Sequence, residues 1–383
     1  MINRDRLAES FMSLTSIDSV SRKEAKISDE IRKILAPFAD EIWIDSAGEK
    51  VGSDTGNLIA RIQGNRNVPP LMLNAHMDTV EPGIGVKPQF KNGVFSSDGS
   101  TVLGADDKSA IAIIIETLHI LHENKLPHGP LEIVITICEE IGLLGAKNLD
   151  FNLLSAEYGY ALDTADTECI VTRAPAANRF EILVHGKDAH AGVDPENGIN
   201  AILLASRAIA GLKLGRIDSE TTCNIGVIEA RGATNIVPNL VRIKGEVRSH
   251  DETKLENITR KMVDAFEDVV EDYRKENAMG ALPRLNIDIE NEFSSTFVLD
   301  DHPVVTMAKQ AAENLKRQVQ TKKTGGGSDA NVFFKNGIIT GVIGTGMKDI
   351  HTVRESIRLD DMEKTVRLLL EIISIHSNGT NIP

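Results

Sequence analysis

Two histidines and a set of acids stand at five points in the chain, each just after an apolar run: His76 with Asp78, Asp106 with Asp107, Glu139 with Glu140, Asp163, and His351. Two imidazoles and several carboxylates make the ligand set of a site for two zinc-type ions, with a carboxylate left over to act as a base. Taken one at a time these are weak signals. A carboxylate at the start of the helix expected after Asp106 is favoured by free N–H groups and the helix dipole, so capping alone explains one of the two aspartates there. His76 and Asp78 sit two apart at a strand end, on the same side, where the acid can orient the imidazole. Glu139 and Glu140 are harder to dismiss. Adjacent acids directed into one crevice with Asp106 and Asp163 raise one another's pKa and destabilise the fold unless cations compensate, which two divalent ions would do. If one glutamate ligates and its neighbour stays free, the free one can take a proton from an activated water and pass it to a leaving amine. The pattern is that of a metallohydrolase.

Placement carries more weight than number. Leu71 to Leu73 leads into His76, Ile133 to Ile137 into Glu139, Tyr160 to Leu162 into Asp163, and Ile338 to Ile343 into the loop bearing His351. These runs are short and apolar on both faces, as strands of a helix-covered parallel sheet are. Ligands of open α/β sheets bind beyond the carboxyl ends of the strands, so four strands would deliver their polar residues to one edge. The first 170 residues alternate strand-like and helix-like segments, with a helix predicted over 107–124. From Pro175 the texture changes to apolar-polar alternation at Phe180, Ile182 and Val184. A helix over 198–214, strands over 222–229 and 240–248, a helix over 252–276 and a strand over 285–289 then complete the order β-α-β-β-α-β. The fold class expected is α/β: a mixed, mostly parallel sheet with helices on both faces (residues 1–174 and 292–383), plus an inserted ferredoxin-like α+β lid or dimerisation domain (175–291). The closing segment reads as an amphipathic helix through Met362, Val366, Leu369 and Ile373, with Asp360 or Asp361 where a cap belongs.

At 383 residues the chain exceeds what one hydrophobic core usually supports, in keeping with two domains. A formal charge of −14 argues against a nucleic-acid or anionic-membrane surface, which call for basic patches. Cys138, Cys169 and Cys223 are odd in number and far apart, which suggests neither a disulfide framework nor a thiolate zinc site and makes the cytoplasm the expected location. The first fifteen residues lack the apolar core of a secretory signal, and the greasiest stretch, Ala110 to Leu121, is interrupted by Glu116 and His119, so no membrane span is expected. The glycine run Gly325 to Gly327 is not followed by the lysine and hydroxyl residue of a phosphate-binding loop.

The strings Ala75-His76-Met77-Asp78-Thr79, Leu103-Gly104-Ala105-Asp106-Asp107-Lys108, Cys138-Glu139-Glu140-Ile141-Gly142, Ala161-Leu162-Asp163-Thr164 and Ile350-His351-Thr352 resemble, in order, those of the two-zinc family that includes peptidase T, acetylornithine deacetylase and carboxypeptidase G. The resemblance implies that His76 and Asp163 bind one zinc and Glu140 and His351 the other, with Asp106 bridging them through a cis peptide to Asp107. It implies Asp78 as the residue orienting His76 and Glu139 as general acid/base. His190 resembles the lid histidine that steadies the tetrahedral oxyanion, often from a partner subunit. Asn235 and Arg248 resemble substrate-holding residues, Arg248 being suited to a terminal carboxylate. Aspartate rather than glutamate at Asp163 leans toward peptides with a free amino terminus, hence an aminopeptidase of the tripeptidase, peptidase T-like kind. The rivals are a deacylase of N-acyl amino acids using the same site and a non-catalytic metal-binding scaffold. Cobalt or manganese can stand in for zinc, and the half-exposed lid sheet invites a homodimer through its edge.

Overall fold

The structure is a computed structural model that describes residues 2–277 and 281–379. The chain forms two compact units: one from the N-terminal chain through Arg173 together with Phe297–Thr324 and the chain from Ser328 onward, the other from Ala174–Thr296 with Gly325–Gly327.

In the first unit the central sheet runs, neighbour to neighbour, Glu41–Ile44, Leu58–Ile62, Leu131–Thr136, Leu71–His76, Tyr158–Thr164, Ile339–Gly344 and Cys169–Ala174. The middle four strands are mutually parallel, while Leu58–Ile62 and Cys169–Ala174 join them antiparallel. Those middle four carry the segments singled out by the sequence. Every residue of Leu71–His76 and Leu131–Thr136 is buried because helices cover both faces. Leu71, Leu73, Ile133 and Ile135 pack into the large core with helices Ala105–Glu123 and Leu359–Ser377. The alternate residues Met72 and Val134 join Ile59 and Phe333 on the other face. Strands with two apolar faces therefore read as unbroken hydrophobic runs.

Helix Ala105–Glu123 is buried almost all round, which explains the greasy stretch at 110–121. Its buried Glu116 is matched by Arg6, whose Nε lies 2.6 Å away, and by the backbone N–H of Asn3 at 2.8 Å. No helix among the described residues is long and apolar enough to cross a membrane. The closing helix spans Leu359–Ser377 and buries Met362, Val366, Leu369 and Ile373 as its periodicity predicts. Its cap differs from the expectation: Arg358 is the N-cap, without a side-chain bond, and Asp360 and Asp361 lie in the first turn. The helix starts directly out of strand Ser356–Arg358, which moves the acids inside the helix where its dipole still favours them.

In the second unit, strands Ala176–His185, Thr221–Ala230, Leu240–Ser249 and Arg284–Phe293 and helices Ala201–Ala210 and Glu252–Asn277 follow the β-α-β-β-α-β order. The sheet is antiparallel, with Leu240–Ser249 and Arg284–Phe293 flanking Ala176–His185. One face is apolar: Phe180, Ile182, Val184, Val241, Ile243 and Val247 pack with Leu204, Met262 and Phe266 of the helices. Gly245 interrupts this row because a Cβ there would stand 2.3 Å from the Phe180 ring.

Candidate active site

The four parallel strands end at a crowded edge. His76, the last residue of its strand, has Nδ1 3.0 Å from the backbone oxygen of Asp78 and 3.4 Å from its carboxylate, which leaves Nε2 facing Asp106 Oδ1 at 3.1 Å. The other oxygen of Asp106 lies 3.2 Å from Nε2 of His351, and that same nitrogen is 3.0 Å from Glu140 Oε1. One carboxylate thus stands between two imidazoles. Ligand atoms of His76, Asp106 and Glu140 lie within 4.8 Å of one another, and so do those of Asp106, Asp107 and Asp163; Asp106 belongs to both groups.

Local backbone conformation makes this convergence. Gly104, at φ +76°, precedes Asp106 and Asp107, whose φ and ψ are not helical and whose peptide is cis, so the acids project before the regular helix begins. After strand Leu131–Thr136 the chain turns at Cys138, a non-glycine residue at φ +51°, a region that costs energy unless surroundings hold it. Buried Glu24 holds it, accepting the Cys138 N–H at 3.1 Å together with the Ser53 hydroxyl at 2.6 Å. Asp78 does the same for the next two residues: it accepts the Glu139 N–H at 2.9 Å, the Glu140 N–H at 3.3 Å and the Ser21 hydroxyl at 2.6 Å. One aspartate therefore orients His76 and pins the segment bearing both glutamates.

Burial dominates the electrostatics. Desolvation pushes the Glu139 carboxyl well above the usual range, opposed by His76 and reinforced by Asp163, Asp329 and Glu140. Asp163 and Asp107 are raised well above theirs, burial again being the main cause. Burial also raises Glu140, against the pull of His351. Asp106 goes the other way: burial opposes its charge, but the two imidazoles outweigh it and hold the carboxyl low. The imidazoles respond in kind. Burial disfavours charged His76, yet Asp106 and Asp78 hold it well above its ordinary value, while Asp106 and Glu140 push His351 up to about 10. So many buried carboxylates facing two imidazoles are short of positive charge, and Asp107 Oδ1 is buried with no hydrogen-bond partner among the described residues. Nitrogen and carboxylate donors in this number fit two divalent ions.

The second unit holds the three remaining sequence candidates. His190 and Asn235 lie on neighbouring, exposed loops, joined by a bridge between His190 and Ile236 and by the Ala191 N–H donating to the Asn235 oxygen at 2.9 Å. Arg248 is elsewhere, near the far end of strand Leu240–Ser249, roughly 26 Å along from Leu240 at strand rise. Its guanidinium donates to Gly325 O at 3.3 Å and Glu246 Oε2 at 3.1 Å, which fastens the glycine run. Sequence reasoning missed the buried Glu24 and Glu355, which grip site backbone from distant segments, and the half-buried Ser21, whose hydroxyl donates to Asp78. It also missed the depth of Asp329, which accepts the Thr136 hydroxyl and is raised by burial to about 6.

Known proteins share this fold. Aminopeptidase PepT from Bacillus cereus ATCC 10987 is 40% identical and superimposes with a TM-score of 0.87 over 99% of this chain and 100% of its own. A tripeptidase from Staphylococcus aureus is 36% identical with a TM-score of 0.92 over the same shares. The YXEP protein of Bacillus subtilis, a dinuclear metal-binding peptidase, shares the fold at 19% identity and a TM-score of 0.70, over 97% of this chain and 98% of its own. The sequence pattern of Peptidase family M20/M25/M40 runs through residues 72–375, across all five acid and histidine segments, and the chain belongs to that family.

Proposed function

We propose that this protein is an aminopeptidase of short peptides, of the tripeptidase kind, that works with two divalent ions, zinc in the first instance, held by His76, Asp106, Glu140, Asp163 and His351. The observation that carries the reading is Asp106, with its two oxygens set against two different imidazoles at 3.1 and 3.2 Å. Relatives at 40% and 36% identity over nearly the whole chain bear the names aminopeptidase and tripeptidase, which supports the substrate class. When bound, the ions would supply Lewis acidity to the scissile carbonyl and to the attacking water.

The protein's own groups do the rest. Glu139, whose carboxyl is raised by burial, receives the water proton on a carboxylate oxygen and returns it to the leaving amine nitrogen. Asp78 keeps His76 and the Glu139 backbone in fixed relation. His190 and Asn235 steady the carbonyl oxygen, and Arg248 takes the terminal carboxylate. Since His190 and Asn235 stand at the other end of a strand from Arg248, the reading includes a homodimer in which each lid serves its partner's site. Three buried, unpaired thiols suit a reducing compartment, the cytoplasm.

The test is metal analysis followed by a substrate panel. Protein loaded with zinc should retain two ions per chain and release the amino-terminal residue of tripeptides. N-acetyl amino acids should stay intact, and a chelator should abolish turnover. Hydrolysis of N-acetyl amino acids but not tripeptides would replace the reading with the deacylase; hydrolysis of neither would favour the scaffold.

A further inference from the structure

Of the buried acids outside the ligand set that grip site backbone, Glu355 is the one that meets Asp106 itself, and it has no role in the reading above. Glu355 is 1% exposed. Its Oε2 accepts the N–H groups of Leu103 and Gly104, both at 2.7 Å, and its Oε1 accepts the N–H of Asp106 at 2.9 Å. Three amides converge on one carboxylate because Gly104 turns the chain through a left-handed conformation just before Asp106.

The segment that supplies Glu355 also supplies His351. It is the loop 348–356, closed at its base by paired backbone hydrogen bonds between Lys348 and Ser356, 2.8 and 3.0 Å long. Asp106 is therefore held twice by a single loop: His351 meets its carboxylate and Glu355 meets its amide. We propose that Glu355 is a positioning residue for the candidate metal site, fixing the Asp106 carboxylate relative to His351 so that this ligand set would hold both ions. This rests on the two-ion reading of the site. An acid needed only to cap a turn would be satisfied by any three amides; this one takes the amide of the residue shared by both ligand groups and sits in the same loop as His351. A partner that orients a ligand in this way typically matters 10- to 100-fold for metal affinity or activity.

The experiment compares wild type with Glu355→Gln, which keeps size and one acceptor oxygen but sets an NH2 group against backbone donors. Binding of cobalt(II) alone is followed by equilibrium dialysis and by its visible absorption, with circular dichroism as the check on folding. The expected result is a folded variant whose weaker-bound cobalt is lost or loosened about 10- to 100-fold, with an altered cobalt spectrum and a fall in kcat at nearly constant KM. If wild type binds two cobalt ions and the folded variant binds them with the same affinity and spectrum, the proposal is overturned while the two-ion reading stands. If wild type itself binds fewer than two, both fall. Should the Gln variant fail to fold, Glu355→Asp carries the test: folded and indistinguishable from wild type in cobalt binding, it overturns the proposal; weakened, it supports it.

Discussion

The central sheet and the lid sheet use charge in opposite ways. At the edge of the central sheet His76, Asp106, Asp107 and Glu139 are buried, and their protonation is driven far from ordinary values by desolvation and by one another. On the open face of the lid sheet Glu181 pairs with Arg242 at 3.2 Å and with Lys244 at 3.1 Å, all of them substantially exposed. Solvent screens the lid charges, and such pairs add little to stability. The buried carboxylates have no such relief and call for cations. The lid is thus held by its single apolar face, whereas the edge of the central sheet concentrates buried acids at the expense of local stability.

Three substitutions probe that contrast, in descending size of effect. Glu139→Gln should lower kcat about 10²- to 10⁴-fold, the usual worth of a general acid/base, while metal content and melting temperature hold; a variant within a few-fold of wild type would remove Glu139 from the mechanism. Ile243→Ala empties a fully buried position in the lid core and should destabilise that unit by about 2–5 kcal/mol in denaturant unfolding, with zinc stoichiometry unchanged. A loss of zinc in that variant would mean the lid and the catalytic edge are not as separately stabilised as argued.

The smallest effect belongs to His376 in the closing helix, buried with neither ring nitrogen hydrogen-bonded among the described residues. Burial lowers its folded-state pKa below the ordinary 6.5. Its contribution is intact above about pH 6.5 and is lost as the pH falls below that, where the unfolded chain takes up a proton that the folded one refuses. His376→Phe keeps an aromatic ring and should flatten the decline in stability between about pH 7.5 and pH 5.5. An unchanged slope would show that other groups set it.

Much of this was legible in the sequence. Runs such as Leu71 to Leu73 and Ile133 to Ile137 announce strands because both faces are covered, and the alternation at Phe180, Ile182 and Val184 announces a sheet covered on one face only. His76, Glu140 and His351 were legible as candidates because each follows such a run, and Asp106 because it stands beside a second acid at a helix start; the structure brings their ligand atoms together. The gripping acids were not legible. Glu24, Asp329 and Glu355 find their partners 114, 193 and about 250 positions away, and nothing in their local pattern separates a buried acid from a solvated one. The cap of the closing helix was misread for a related reason: a residue or so of register decides which acid is outside the helix, and that is set by the strand before it, not by the acids.

The closed loop at 348–356 also gathers two groups that meet Asp106 into the stretch just before the closing helix. A chain truncated before this loop loses that imidazole and that buried acid together with the helix that completes the core beneath the central sheet, and should be inert.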